Sequence, residues 1–185
     1  MTRGQAERLF PLVENLLREA GIGWSDLDGV GVCTGPGNFT GLRVAVAAAR
    51  GLSLALGIPA AGVTCFEVLA HARPGPVLVT LESRRDGTFA QTFDDGLSTC
   101  AAIAGDPAAL TPFHPATTCI GYEAQRTAAR FGLSSGPEST LVDPVVLARL
   151  AADRLGTPRP PVPLYLQSAD ARPASDALPA LIDDA

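Results

Sequence analysis

Histidine and cysteine are scarce in this sequence, and neither is grouped. The two histidines, His71 and His114, are far apart and flank no ligand motif. The four cysteines, Cys33, Cys65, Cys100 and Cys119, contain no CxxC pair. That spacing excludes the common zinc and dithiol motifs and predicts reduced, mostly buried thiols, with no metal site. Basic clusters are also missing. The formal net charge is −5, and Arg84-Arg85 is the only adjacent basic pair. A protein that grips RNA by itself needs a basic face to neutralise phosphates, so any RNA role is expected to run through a partner. The longest apolar run, Val44–Ala49, is too short to span a bilayer, and Arg50 and Ser53 break its continuation. Charges are mixed through Met1–Ala20, so no signal peptide is read there. The expected setting is cytoplasmic, with no membrane association. No Ser/His/Asp or Cys/His arrangement stands out. The candidate carboxylates Glu67, Glu82, Asp86, Asp94 and Asp95 form no spaced pair on one helix face. No catalytic residue is assigned.

What is present is a regular alternation of short elements. Residues 4–20 carry apolar positions Ala6, Leu9, Phe10, Val13, Leu16, Leu17 and Ala20 on one helical face. Pro11 inside that pattern predicts a kink or a later start, and Gly21 and Gly23 end it. Asp28–Cys33 reads as a buried strand. A glycine-rich loop, a helix over about 41–56 and a strand at Ala60–Val63 follow, which is a parallel βαβ unit. Phe66–Ala72 reads as a short helix. Arg73-Pro74-Gly75-Pro76 breaks the chain and sets a domain boundary. Val77–Leu81 and Thr88–Phe93 read as two strands joined at Asp86-Gly87. Residues 94–118 are irregular, Thr118–Gly121 is a strand, and Glu123–Phe131 and Pro144–Leu155 are helices. Thr157–Pro163 is a proline-rich linker. The resulting division is a first α/β lobe at 1–73, a smaller second one at 74–166, and a flexible tail at 167–185.

The loop Gly35–Gly41 invites a phosphate reading, because backbone N–H groups at a helix start favour an anion. Gly35 and Gly37 would allow close approach, and Asn38 or Thr40 could cap the helix. Yet the order G-P-G-N-F-T-G matches neither the Walker loop nor GxGxxG. A sharp structural turn, with Pro36 fixing its first bend, is the competing account. The helix beyond it is apolar on nearly every side, interrupted by Arg43, Arg50 and Ser53. Such a helix is expected to be buried all round, either in the chain's own core or, together with the first helix, against another protein.

Thr34–Arg43, TGPGNFTGLR, resembles the GPGSFTGLR-type signature of the TsaB (YeaZ) family, with Asn38 in place of the usual Ser. Gln5-x-x-x-Leu9-x-Pro11, Ala49-x-Gly51-Leu52, Gly57-Ile58-Pro59, Gly62-Val63-Thr64 and Pro163-Leu164-Tyr165-Leu166 follow the same family pattern, and Ala169-Asp170-Ala171 lies beyond them. Glu82–Gly87 matches only loosely. The resemblance implies an α/β, actin-like ATPase (ribonuclease H-like) fold of two lobes. It also implies a non-catalytic role. Family members pair with TsaD, which transfers a threonylcarbamoyl group to an adenosine beside the anticodon of tRNAs reading codons that begin with A. TsaE acts in the larger complex. No cofactor is expected here; ATP and metal are expected on the partner subunits, and tRNA is reached only through the complex.

The family's pairing surface uses the first two helices. By that resemblance Leu9, Phe10, Val13, Leu16, Leu17, Arg43, Val44, Ala48, Arg50 and Leu52 are the expected contact residues. Gly35, Pro36, Gly37, Asn38, Phe39, Thr40 and Gly41 form the signature turn. The family usually opens with a strand carrying an Asp-Thr-Ser-like step and then a hairpin. This sequence opens at the first helix, so the first lobe is expected to lack its initial strands, through a mis-assigned start or a truncation. Two rival readings are a free-standing nucleotide-dependent enzyme or hydrolase of the actin-like superfamily and a self-associating scaffold that forms a homodimer.

Overall fold

The computed structural model describes residues 5–83, 87–156 and 160–167. Arg84-Arg85, Asp86, the first part of the proline-rich linker, Ala169-Asp170-Ala171 and the tail from 168 onward lie outside the described residues.

Two sheets organise the chain. The first pairs β1 (Val30–Cys33) in parallel with β2 (Ala60–Val63), in register Val30 with Ala60 through Cys33 with Val63. Between them runs α2 (Phe39–Leu56), the connection the sequence predicted. It starts where the Asn38 side chain accepts the Gly41 N–H, and it stops at Gly57 in the left-handed region. One face of this sheet takes α2, with Val32 packed on Val46 and Ala49. The other takes α5 (Pro144–Ala152), whose Ala151 packs with Ala61, Val63 and Val68. The segment placed by sequence in the second lobe thus packs on the first sheet. Its apolar stripe of Val146, Leu147, Leu150 and Ala151 covers the β1–β2 face that α2 leaves open.

The second sheet is built on β3 (Pro76–Ser83) and β4 (Gly87–Asp94), which pair antiparallel as the hairpin signal predicts. Parallel strands β7 (Thr118–Gly121) and β8 (Ser134–Ser135) extend it beyond β3. The stretch read as irregular adds β5 (Leu97–Ser98) and β6 (Ile103–Ala104) to β4. These two-residue strands carry too little alternation to be seen in sequence. Alternate residues of β3 face opposite ways. Val77, Val79 and Leu81 join Phe66 and Ala70 of α3 (Cys65–Ala70), while Leu78 joins Ala124 and Ala128 of α4 (Ala124–Phe131).

At the start of the chain, α1 (Gln5–Glu19) passes through Pro11 without a break. The helix therefore does not start late at Pro11, which is its seventh residue and lacks the N–H that would otherwise donate to the Glu7 carbonyl. Among described residues α1 packs on α2. Of the two covers expected for α2, the chain's own core supplies only part. Only Val46 and Ala49 are buried, and Leu54 is 86% exposed.

Candidate interface and the glycine turn

The turn after β1 is closed on its own chain. The Thr34 N–H donates to the Val63 carbonyl at 2.9 Å, and the Leu164 N–H donates to the Thr34 carbonyl at 2.8 Å. The Gly35 carbonyl accepts the Cys65 N–H at 2.7 Å. Gly35 and Pro36 are buried. Gly35 sits at φ +104°, and a Cβ there would come within 2.8 Å of Leu42 Cδ1, so glycine is required by backbone conformation and by packing. Asn38 spends its side-chain oxygen on the Gly41 N–H at 2.9 Å. These bonds give the signature a structural role as a turn that ties β1 to α3 and to the Leu164 segment.

Arg43 is used within the chain. Its guanidinium lies 3.9 Å over the Phe39 ring, and its Nε donates to the Tyr165 hydroxyl at 3.0 Å. Phe39 and Tyr165 stack with centroids 5.1 Å apart. Arg43, one of the expected contact residues, thus acts as a clamp within the chain. It holds Pro163–Leu166 against the start of α2, through a cation–π contact and a hydrogen bond. Tyr165, absent from the expected site, belongs to this cluster. Arg50 is exposed and makes no hydrogen bond or ion pair among the described residues.

The expected contact residues divide into two sets. Leu9, Phe10 and Val13 of α1 face Ala48 and Leu52 of α2 across a cleft of about 160 Å³ that reaches Val30 and Val32 of β1. Val44 and Leu17 are half-buried. Leu16 at 55% exposure faces outward, and so do Leu12 at 45% and Leu54, which the sequence reading missed, while Phe10 lines the cleft and stays 44% exposed. The apolar surface along α1 and α2 is therefore broad and only partly covered. By length and composition α2 is also the one helix among the described residues able to cross a membrane.

No cluster of carboxylates emerges among the described residues. Glu67 caps α3 with Thr64, accepting its N–H at 2.7 Å and its hydroxyl at 2.9 Å. It also pairs with Arg154 at 2.7 Å, which joins α3 to the segment after α5. Burial pushes the Glu67 carboxyl up, but the Arg154 and Thr64 hydrogen bonds outweigh it and hold it below its ordinary value of 4.5. A depressed carboxyl stabilises the fold above its unfolded value, and the gain is lost as pH falls through the folded value. Glu67→Gln should therefore lower the urea midpoint at neutral pH and narrow its gap to the unaltered chain below about pH 4. A gap that stays constant from neutral to acid pH would count against this linkage. Asp95 accepts the Gly75 N–H at 2.7 Å, and Asp94 is exposed.

Cys119 is buried, and Cys33, Cys65 and Cys100 are half-buried. Cys33 and Cys65, 32 residues apart in sequence, have their sulfurs 3.2 Å apart. No group of three or more potential metal ligands occurs among the described residues.

The family model described as "TsaD: tRNA N6-adenosine threonylcarbamoyltransferase" matches residues 1–109, more than half of the chain. The chain belongs to the TsaD family. An uncharacterized protein of Mycobacterium tuberculosis is 37% identical over 171 residues, which is 92% of this chain and 79% of that relative. A tRNA N6-adenosine threonylcarbamoyltransferase of Cereibacter sphaeroides is 48% identical over 61 residues, covering 33% of this chain and 17% of the enzyme. The solved structure of YeaZ from Pseudomonas aeruginosa superposes with a TM-score of 0.65 at 24% identity, over 82% of this chain and 78% of that one. The YeaZ structure shares this chain's fold, and with the family model it bears out the actin-like, ribonuclease H-like fold that the resemblance implied.

Proposed function

We propose that this chain is a non-catalytic subunit in threonylcarbamoyladenosine formation on tRNA. It acts at the adenosine beside the anticodon of tRNAs reading codons that begin with A, by binding and activating TsaD. The observation that carries this reading is α2, an apolar helix with only Val46 and Ala49 buried. A face of this kind lowers its free energy by meeting a complementary apolar surface. Protein fits better than lipid as that surface, since Arg50 sits within the helix and a mid-bilayer arginine costs about 2.5–3.5 kcal/mol. Membership of the TsaD family supports the chemistry, and the net charge of −5 supports reaching tRNA through the complex. ATP, metal and the transfer step are assigned to TsaD and TsaE.

Within this reading Leu9, Val13, Ala48 and Leu52 hold α1 against α2, while Phe10, Leu16 and Arg50 face the partner. Leu16→Glu combined with Arg50→Glu is expected to weaken TsaD binding by about 30-fold or more, the loss of a hot spot. The readout is titration calorimetry, with circular dichroism confirming the fold. Unchanged affinity in a folded variant overturns the surface. A tRNA-modification assay with TsaD and TsaE, adding or omitting this chain, tests the role itself; full activity without the chain overturns it.

The second reading is self-association through the same faces, since Glu14 on α1 and Arg50 on α2 offer opposite charges to a second copy. Sedimentation of the chain alone, compared with its mixture with TsaD, separates the two.

A further inference from the structure

We propose that Cys33 and Cys65 form a redox-active dithiol that closes reversibly into a disulfide when a peroxide oxidises it. Cys33 is the last residue of β1 and Cys65 the first of α3, so both stand at the C-terminal end of the first sheet. Their sulfurs are 3.2 Å apart, and bond formation asks for an approach of about 1.2 Å. The backbones are already tied together, since the Cys65 N–H donates to the Gly35 carbonyl at 2.7 Å. Both residues are only half-buried, unlike Cys119, which is sealed in the core.

The two sulfurs are not equivalent. The hydrogen bond between the two thiols, in which either sulfur can donate, lowers the Cys33 pKa to about 7 against the opposing effect of burial. Cys65 is pushed up by the same hydrogen bond and by its own burial. Cys33 is thus the attacking thiolate and Cys65 the resolving thiol.

The chemistry balances without a metal. The Cys33 sulfur attacks one oxygen of hydrogen peroxide, the O–O bond breaks, and Cys33 sulfenic acid and hydroxide form. The Cys65 sulfur then attacks the sulfenic sulfur. The S–O bond breaks, the hydroxyl leaves as water with the Cys65 proton, and the S–S bond forms. Two electrons pass from the thiols to the peroxide, and a dithiol reductant restores both thiols. The bridge fixes α3 to the end of β1 beside the Gly35-Pro36 turn that starts α2.

The other two cysteines serve as internal controls. Cys119 is fully buried, and burial raises its thiol to about 11. Cys100 has the Thr92 hydroxyl 3.0 Å from its sulfur and no second cysteine recorded in contact with it among the described residues.

The folded full chain is treated with one equivalent of hydrogen peroxide, alkylated, digested and analysed by mass spectrometry. The expected product is a Cys33–Cys65-linked peptide, lighter by two hydrogen atoms than the reduced pair, with Cys100 and Cys119 still alkylated. Dithiothreitol should return both thiols. Cys65→Ser should leave Cys33 as sulfenic acid with one equivalent and as sulfinic acid once a second equivalent of peroxide is added, and Cys33→Ser should leave Cys65 reduced. Absence of the linked peptide from the unaltered chain while Cys100 or Cys119 oxidises overturns the proposal. Disulfides between chains, or direct conversion of Cys33 to sulfinic acid with Cys65 present, overturn it as well. The decisive measurement uses the unaltered chain, so a variant that fails to fold does not obscure it. It also involves no TsaD, so its outcome is separate from the test of the proposed function.

Discussion

Gly121→Ala is expected to lower the melting temperature by about 10 °C or more. Gly121 ends β7 at φ +94°, in a region that side-chain-bearing residues rarely enter. A methyl there would overlap the carbonyl oxygen of Thr80 on the neighbouring strand. Neither side can yield cheaply. The Thr80 carbonyl accepts the Tyr122 N–H at 2.8 Å, and the Thr80 hydroxyl, fully buried, donates to Ile120 and Tyr122 carbonyls at 3.0 and 2.7 Å. On the other side the Gly121 N–H donates to the Pro137 carbonyl at 2.9 Å. Backbone strain and overpacking each cost about 1–3 kcal/mol, so the sum is on the order of 4 kcal/mol. Differential scanning calorimetry measures it. A shift under about 2 °C would mean that β7 and β3 do not meet at Thr80 as described.

Phe66→Ala is expected to cost about 3–5 kcal/mol, a large share of the roughly 5–15 kcal/mol that holds an ordinary domain together. Phe66 is fully buried, in one cluster with Val77, Val79, Leu81 and Phe93 of the second sheet. Val68, two residues on, packs instead with Ala61 and Val63 of the first. The short helix α3 therefore joins the two sheets, and deleting its largest side chain opens a cavity at the joint. The urea midpoint should fall accordingly. Leu54→Ala, at a site 86% exposed, is the matched control and should move it by under about 0.5 kcal/mol. Equal effects at the two sites would contradict this division of core and surface.

Local chemistry explains which elements could be read in advance. The strand Ala60–Val63 was legible to the residue, bounded by Pro59 and the Thr64 cap. The helix after the glycine turn was legible in extent, because Asn38 and Gly57 are strong local signals at its ends. Its environment was left open between the chain's own core and another protein, because an apolar composition says that a helix seeks cover and not what supplies it; within the chain only Val46 and Ala49 of α2 are buried. Pro11 does not mark the start of its helix, since α1 already runs from Gln5.

The sequence by itself determined the order and type of the main elements, the parallel βαβ unit, the glycine turn and the family it marks. Each rests on residues within a few positions of one another, where spacing and capping act directly. Only the tertiary structure decided that α5 covers the first sheet, that Arg43 clamps Tyr165 from 122 residues away, and that Cys33 meets Cys65 across 32. Those contacts follow from the path of the chain through two sheets. A local pattern carries no record of that path, because the same cysteine or arginine reads alike whether its partner lies beside it or across the fold.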